Sequence, residues 1–401
     1  MPNSTGSIYS PRAEAGSGTA GNVLGMDESG EGFRKELRAW LADHLTPEVV
    51  SAGRIGVEAN MDALKAWNGI LADAGWAAPA WPVEFGGRDA GIDEQLAYFE
   101  EMDASQAPGP INVIGVSNIA PAIMAWGSPE QKARFLRPML RGDEVWSQGM
   151  SEPDAGSDLA SLRTSAVVDG DHFVVNGQKI WNSLGHFADW SQLYVRTDPD
   201  APKHKGISCL LVDLRTPGVE VRPITTITGE QTFAELFFTD ARIPASALLG
   251  PCNEGWRVAV TTLSHERAGV ARFHLSLRRK LDELLADAAG SAALSDPVRR
   301  DELMGLYTEI MCMKLTTDRS FAQMRAGQQP SASLGSLAKL AWSHAEQRLA
   351  STALNVLGLA GTTGRWATSL ASARQTSIAG GTTEINKNIV AEQGLGLPRD
   401  R

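Results

Sequence analysis

The feature that most constrains the fold of this chain is a double change in the spacing of its apolar residues. Up to about Leu140 they recur every three or four positions, as on one face of a helix. From Glu144 to Pro244 this spacing gives way to short runs of Val, Ile, Leu and Phe between turn residues, which is typical of strands. The helical spacing returns at Gly255. The order α, β, α therefore predicts a sheet domain between two helical regions.

Residues typical of helix termini predict where several helices begin and end. A stripe from Phe33 to Leu45 predicts a first helix that Thr46-Pro47 ends, and Gly75 is a natural stop for a later one. Ser128 followed by Pro129 and Gln131 combines a hydroxyl cap, a first-turn proline and a capping box. We therefore expect a helix to begin at Pro129.

The C-terminal region carries long helical stripes. One runs from Trp256 to Leu284, Asp296-Pro297 opens another helix, and a third presents Leu334, Leu337, Leu340 and Ala341. Helices of this length suggest interfaces shared with other chains.

These patterns divide the chain into four parts. Residues 1–25 are rich in Gly, Ser, Ala and Thr, lack the apolar core of a signal peptide, and are expected to be a disordered leader. Residues 26–143 form a helical domain, 144–247 a β-sandwich or barrel domain, and 248–401 a second helical domain.

Composition excludes several classes of function. The chain has 401 residues and a net charge of −10, which disfavours binding to nucleic acid or to anionic membranes. No apolar run approaches the ~20 residues that span a bilayer. The three cysteines are far apart and predict a reducing, cytoplasmic location without disulfides or zinc. Hydrolase motifs and metal-spaced His/Cys clusters are missing, so we expect no metal.

Glu266 is the most informative single residue. It lies three residues after Leu263 and four before Val270, at the edge of an apolar helix face, with Arg267 on the other edge. A carboxylate facing an apolar interior costs free energy unless it is paired or used. Two interpretations stay open: a buried ion pair, for example with Arg267, or a desolvated general base with a raised pKa.

Three short segments could approach a ligand. The first, Met150–Asp158, is rich in small and hydroxyl residues and could equally be a surface turn. The second contains Trp181 and Ser183, where the indole could be core or a flat wall for an aromatic cofactor. The third, Gly380–Glu384, could be an anion-binding helix start or a plain helix cap.

Taken together, these motifs resemble the acyl-CoA dehydrogenase family over nearly all of Phe33–Arg399. The most specific stretches are Met150–Asp158, Asn176–Trp181, Leu263–Gly269 and Ile378–Ile385. The chain is especially similar to bacterial members that act on fatty, branched or steroid side-chain thioesters. This resemblance implies an N-terminal helical domain, a middle β domain and a C-terminal four-helix bundle, in a homotetramer or homodimer.

The resemblance also implies FAD as cofactor, an acyl-CoA substrate and an electron-transfer flavoprotein or similar acceptor. Residues matching flavin contacts are Met150, Ser151, Gly156, Ser157, Trp181, Ser183, Thr382 and Glu384. Ser157 and Arg267 match positions beside the substrate. The implied reaction removes an α-proton and passes a β-hydride to flavin N5, which gives a trans-2-enoyl-CoA in lipid catabolism.

Two positions depart from the common family pattern. Many members carry the catalytic base where this chain has Gly380, which has no side chain, whereas another branch carries it on the long C-terminal helix at the position of Glu266. Many relatives also place an arginine after this helix to reach the partner's FAD pyrophosphate, but residues 287–296 contain none. We therefore assign the base to Glu266 and expect a different phosphate contact.

Three other functions remain alternatives at this point. A flavin-dependent oxidase or monooxygenase could share the fold, and the missing arginine is compatible with one subunit of a heteromeric dehydrogenase. A helical scaffold is the third, although neither a β insert nor glycine-rich loops are needed for scaffolding.

Overall fold

The computed structural model describes residues 28–264, 271–328 and 333–399. The expected leader, residues 1–25, and the residues Glu266 and Arg267 therefore lie outside the described residues. Helices long and apolar enough to span a lipid bilayer are absent from the described ranges.

Helices build the N-terminal part of the described chain, and their ends follow the capping signals. Ser128 and Gln131 form the predicted capping box, and Gly142 ends that helix in a left-handed conformation. Thr46 follows the end of the first helix, as predicted, and also caps a second helix, because its hydroxyl accepts from the N–H of Val49. The helices are α1 (Glu28–His44), α2 (Pro47–Ile55), α3 (Val57–Asp73), α4 (Ile92–Ser105), α5 (Ala120–Trp126) and α6 (Pro129–Arg141).

The middle region is one curled sheet. The strands are β1 (Trp146–Gly149), β2 (Ser165–Asp169), β3 (His172–Ser183), β4 (Trp190–Arg196), β5 (Ile207–Asp213), β6 (Val219–Ile224) and β7 (Phe233–Pro244). They are ordered β1-β4-β2-β3-β7-β6, and β5 pairs with β4. The β1–β4 pairing is parallel, whereas β3 runs antiparallel to both β2 and β7. This sheet confirms the expected β domain between two helical regions.

The residue pair Asn176-Gly177 is typical of a turn and predicts one from the sequence, but β3 continues through it. The register against β7 shifts between Val175 and Gly177, and Gly177 has φ 147°. A side chain on Gly177 would meet Thr164 at 2.6 Å. An irregularity of this kind inserts an extra residue into a strand and needs the same residue types as a turn.

Two apolar cores lie on the sheet. One face packs on the N-terminal helices in a single cluster that includes Trp67, Trp76, Trp146 and Tyr194. Another cluster is formed by the strands themselves, with Phe173, Val195, Leu210, Leu236 and Phe238 among its members. Because the first cluster joins helices and strands, the N-terminal helices fix the position of the sheet.

The C-terminal part is helical and has a separate core. Its helices are α7 (Gly255–Ser264), α8 (Ala271–Asp287), α9 (Pro297–Arg325), α10 (Leu334–Leu357), α11 (Gly364–Ser372) and α12 (Thr383–Ile389). Asp296 caps α9 by accepting from the N–H of Val298 at 2.9 Å, as its sequence predicts. Leu277, Leu306 and Leu349 bring α8, α9 and α10 into one buried cluster.

The stripe predicted for α10 is not its buried face. Leu337 and Ala341 are exposed, whereas Ser336, Lys339, Ser343 and Glu346 face inward with the small residues of the helix. The buried face is polar because it packs against the segment before α12 and against Lys280, which pairs with Glu346.

Asn112 joins the N-terminal helices to the first strand. Its buried amide donates to the carbonyls of Met139 and Glu144 at 3.2 and 3.0 Å, and its oxygen accepts from the N–H of Trp146 at 3.0 Å. One side chain thus satisfies three backbone groups at the junction of α6 and β1.

Replacing Asn112 with alanine should therefore destabilise the protein. Three backbone groups would lose their partners, and we expect the free energy of unfolding to fall by about 3 kcal/mol in denaturant titrations. Asn60→Ala is the control, because its amide serves one half-buried carbonyl, that of Gly56. Equal effects of the two substitutions would contradict this role of Asn112.

His274 makes the C-terminal core sensitive to acid. Its ring is 4% exposed, and its Nδ1 has no hydrogen-bond partner among the described residues. Burial, assisted by Lys314 and opposed by Asp318, lowers the pKa of His274 to about 4 from an ordinary 6.5. Between these two values the unfolded chain takes up a proton that the folded chain does not.

Stability should consequently fall as the pH drops from about 6.5 to about 4, by up to about 3 kcal/mol from this residue. His274→Asn should flatten that part of the curve of unfolding free energy against pH. The same substitution at the exposed His44 should leave the curve unchanged, and an unflattened curve for His274→Asn would contradict the assignment.

Candidate active site

The segment Met150–Asp158 forms a tight loop between β1 and β2. Glu152 and Ala155 exchange backbone hydrogen bonds of 3.0 and 3.1 Å, which close the loop. Ser151 is half-buried, while Gly156 and Ser157 are exposed, and a Cβ on Gly156 would meet no heavy atom within 4 Å. The loop therefore offers hydroxyl groups and backbone beside open space.

Trp181 lies next to this loop, and both its backbone conformation and its exposure to solvent are unusual. Its backbone has φ 63°, at a register shift between Lys179 and Asn182, and its side chain is 57% exposed. The indole meets Phe233 edge-on at 5.9 Å. A bulky residue with positive φ is strained, and strain of this kind collects at functional sites. The core interpretation of Trp181 is thus wrong, and the exposed indole is a surface on which a flat ring could stack.

The loop and β3 are fastened to each other. The N–H of Ile180 donates to the carbonyl of Ser151 at 2.9 Å, and the Lys179 ammonium donates to the carbonyl of Met150 at 3.1 Å. The ammonium also lies 2.8 Å from a carboxylate oxygen of Glu152. Met150, Ser151, Trp181 and half-buried Ser183 are therefore held in one neighbourhood of the molecule.

Glu152 and Lys179 form a buried ion pair, which we call the loop clamp. Glu152 accepts from the N–H groups of Arg163 and Thr164 at 2.6 and 2.8 Å, so its charge is fully hydrogen-bonded. Burial lowers the pKa of Lys179 to about 8, although Glu152 opposes the shift. Burial acts to raise the pKa of Glu152, but Lys179 and the hydrogen bonds hold it below its ordinary value.

The segment Gly380–Glu384 forms a second site at the start of α12. Gly380 and Gly381 have φ 65° and 87°, and the carbonyl of Gly381 accepts from Lys339 at 2.5 Å and from Asn386 at 2.8 Å. The Thr382 hydroxyl accepts from the N–H of Ile385 at 3.3 Å, which makes Thr382 a helix cap. Glu384 is exposed.

The predicted site residues fall into two groups. Within the described part of the chain, no hydrogen bond or ion pair joins the Gly380–Glu384 segment to the Met150–Asp158 loop or to Trp181. Glu266 and Arg267, the predicted base and its neighbour, lie outside the described residues. In the described ranges, no group of three or more His, Cys, Asp or Glu side chains could hold a metal ion.

Sequence reasoning missed the residues that hold both segments in place. Glu152 and Lys179 lie 27 positions apart, and no local pattern pairs them. Lys339 left a clearer signal, because Ser336, Lys339, Ser343 and Glu346 recur at helical spacing and could have been recognised as a polar buried face.

Three domain models of one protein family match the chain, one after another along its length. The acyl-CoA dehydrogenase N-terminal, middle and C-terminal domain families match residues 27–143, 147–241 and 253–395. Among curated proteins, the chain is 38% identical over 385 residues to acyl-CoA dehydrogenase IpdE1 of Mycobacterium tuberculosis, covering 92% of this chain and 98% of the relative.

Solved structures agree with this match. The Tcur3481-Tcur3483 steroid ACAD superimposes with a TM-score of 0.83 at 31% identity, covering 94% of this chain and 100% of that one. The ChsE4-ChsE5 complex of Mycobacterium tuberculosis gives 0.80 at 32% identity, again covering 94% and 100%. The order of its three domains, its sheet between two helical regions and its likeness to these proteins show that the chain belongs to the acyl-CoA dehydrogenase family, oxidoreductases that act on CH–CH bonds.

Proposed function

We propose that this chain binds FAD beside Trp181 and dehydrogenates an acyl-CoA thioester to the trans-2-enoyl-CoA, with Glu266 as the base. The observation that carries the proposal is Trp181 itself. A strained backbone and a large exposed indole are each unfavourable, and both are explained if the indole stacks on a ring when the cofactor is bound.

The residues around Trp181 fit a flavin. Ser183 on β3 and Ser151 in the loop are half-buried hydroxyl groups that can hydrogen-bond the polar edge of a ring. Gly156 and Ser157 present an open backbone and a hydroxyl to the cofactor or its phosphates. When bound, FAD would supply the acceptor for the hydride that leaves the β-carbon.

Thr382 and Glu384 are proposed as the contacts from the C-terminal segment. Lys339 holds the carbonyl of Gly381 and so fixes the backbone from which Thr382 starts. Since Gly380 has no side chain, this segment can position a cofactor but cannot supply the base that many family members carry there.

Glu266 is the proposed base because of the helix that leads to it. On α7, Val260 and Leu263 are 52% and 49% exposed, so the chain presents an apolar surface shortly before Glu266. Closing an acyl chain against that surface would remove water from the carboxylate and raise its pKa. A carboxylate in that state is suited to removing the α-proton of a thioester near neutral pH.

The chain's other proposed contribution is to bind and orient the thioester. Removal of an α-proton builds negative charge on the thioester oxygen, which must accept hydrogen bonds in the transition state. We assign one of these to a backbone N–H near the base, and place Ser157 and Arg267 beside the substrate. The proposed substrates are fatty, branched or steroid side-chain thioesters, and similarity to a steroid ACAD supports including the bulkiest of them.

The assembly is proposed to be an oligomer. A homotetramer or homodimer is the first candidate, with an electron-transfer flavoprotein or similar acceptor and a cytoplasmic location. A heteromeric dehydrogenase is the second, because residues 287–296 lack the arginine expected there and Asp287 instead pairs with Arg365. The ChsE4-ChsE5 complex is a two-protein assembly of similar fold.

Counting the cofactor separates these two assemblies. A homo-oligomer should purify yellow with one FAD per protomer, as measured by absorbance after denaturation. A colourless chain that gains FAD only when co-purified with a second dehydrogenase chain would contradict the homo-oligomer and establish the heteromer.

Glu266→Gln should retain FAD but lose activity. Without a proton acceptor, the rate of flavin bleaching by an acyl-CoA should fall by at least about a thousandfold in anaerobic stopped-flow measurements. Asp301→Asn, an exposed carboxylate on α9, is the matched control and should bleach normally. Bleaching of the Glu266→Gln flavin at the wild-type rate would refute the assignment.

Lys179→Met should weaken the attachment of the Met150–Asp158 loop to β3. It leaves the buried Glu152 carboxylate without its cation, and we expect unfolding free energy to fall by about 3–5 kcal/mol and FAD to bind more weakly. Lys179→Met with Glu152→Gln should recover part of both losses, since no unpaired charge remains. Arg242→Met breaks the exposed pair with Asp169 and should cost less than about 1 kcal/mol. FAD affinity unchanged in Lys179→Met would contradict the role of the loop clamp.

A further inference from the structure

The helix α7 buries a threonine and leaves two large aliphatic side chains exposed. Val258 and Thr262 are fully buried, whereas Val260 and Leu263 are 52% and 49% exposed. Successive residues of a helix are about 100° apart, so a turn of one residue would bury Leu263 in place of Thr262. The hydrophobic effect favours burial of the larger aliphatic side chain. Apolar packing alone therefore does not fix the rotation of α7.

The buried hydroxyl of Thr262 makes all three hydrogen bonds that a hydroxyl can make. It donates to the carbonyl of Val258 at 3.1 Å, and accepts from the amide of Gln192 at 3.3 Å and from the phenol of Tyr194 at 3.2 Å. Both partners are fully buried on β4. Burial raises the pKa of Tyr194 well above its ordinary value, so the phenol keeps the proton that it donates. Rotation of α7 would leave this amide and phenol buried without their acceptor, which is costly.

A second hydroxyl, that of Thr261, connects α7 to the N-terminal helices. It accepts from the indole N–H of Trp126, the last residue of α5, at 3.0 Å. Because neighbouring residues of a helix point in different directions, Thr261 and Thr262 bind different elements, α5 and β4. Hydrogen bonds in two directions fix the rotation of a helix about its axis. We call them the α7 anchor; it comprises Thr261 and Thr262 with Trp126, Gln192 and Tyr194.

The first residue of α7 lies against the backbone of a strand. A Cβ on Gly255 would meet the carbonyl carbon of Ser208, on β5, at 2.6 Å. Only glycine allows so close an approach. Gly255 therefore sets where α7 begins on the sheet, and the α7 anchor sets its rotation.

We propose that the α7 anchor is a positioning device for the acyl chain of the substrate. By fixing the rotation of α7, it keeps Val260 and Leu263 on the surface that the acyl chain covers. The identity of the ligand rests on the proposed function. Thr262 is fully buried and cannot contact a ligand, so it acts through the two aliphatic side chains. The anchor should therefore affect the binding of long or bulky acyl chains, because only these reach beyond the reacting carbons.

Thiol labelling measures the rotation of α7 without any substrate. Leu263→Cys is made in a protein whose exposed cysteines are removed by Cys252→Ser and Cys312→Ser. The introduced thiol should react readily with a thiol reagent. Adding Thr262→Val should slow the reaction by at least about tenfold, since the helix can then turn this face inward and thiols react according to their exposure. Adding Thr262→Ser keeps the hydroxyl and should preserve the rate.

Thr308→Val is the control for the loss of a helix hydroxyl. The Thr308 hydroxyl also donates to a carbonyl four residues back, at 2.8 Å, but it is exposed on α9 and bonds no other helix or strand among the described residues. It should leave the labelling rate unchanged. A thiol at position 263 that does not react in the parent protein, or that reacts at the parent rate with Thr262→Val, would overturn the proposal.

An apolar version of the anchor separates positioning from stability. Combining Thr262→Val with Gln192→Met and Tyr194→Phe removes the two groups that would otherwise be buried without a partner, so most of the stability lost in Thr262→Val should return. The rotation should not return, because no polar contact now selects one face of the helix. Slow labelling with restored stability would support the anchor. Labelling at the parent rate in this combined variant would overturn it.

Flavin bleaching then tests what the anchor positions. In the FAD-loaded oligomer, Thr262→Val should raise the concentration for half-maximal bleaching about tenfold for the bulkiest thioester that the wild-type protein oxidises. The value for butyryl-CoA, whose chain extends one carbon beyond the reacting pair, should not change, and Thr262→Ser should behave as wild type for both. An equal rise for both thioesters, or for neither, would overturn the acyl-chain role. If no thioester bleaches the wild-type flavin, the proposed function is refuted and the acyl chain with it, whereas labelling still decides whether the anchor fixes α7.

Discussion

The interaction on which the candidate site depends is the ion pair between Glu152 and Lys179. Lys179 is fully buried, and removing its charge from water is costly enough that burial lowers its pKa to about 8. The cost is offset because Glu152 gathers the ammonium and two backbone N–H groups at one point. This arrangement fixes the loop against β3, so the small and hydroxyl residues of one segment lie beside the strained Trp181 of the other.

Apolar side chains that the described residues leave exposed are the reason for proposing a binding site here. The Trp181 indole and the apolar side chains of Val260 and Leu263 are all exposed, although each would be more stable out of water. In the proposed complex, a planar cofactor would cover the indole and an acyl chain would cover the two aliphatic side chains.

Much of the fold could be predicted because it depends on local patterns. The change from helical to strand spacing located the sheet, and the capping residues Ser128 and Asp296 located helix starts. The errors arose where tertiary contacts decide: Asn176-Gly177 became an irregularity inside β3, and α10 buries Lys339 and Ser343 rather than Leu337. The loop clamp could not be predicted from the sequence either, because only the folded sheet brings Glu152 next to Lys179. Trp181 was recognised as a candidate, but its strain and exposure could be known only from the structure.

The most direct test of the account is a crystal structure of the Glu266→Gln protein with FAD and an oxidisable acyl-CoA. The account predicts the isoalloxazine ring against Trp181 and the side chain of residue 266 within about 3.5 Å of the thioester α-carbon. A flavin bound elsewhere, or residue 266 directed into solvent with the thioester in place, would contradict it.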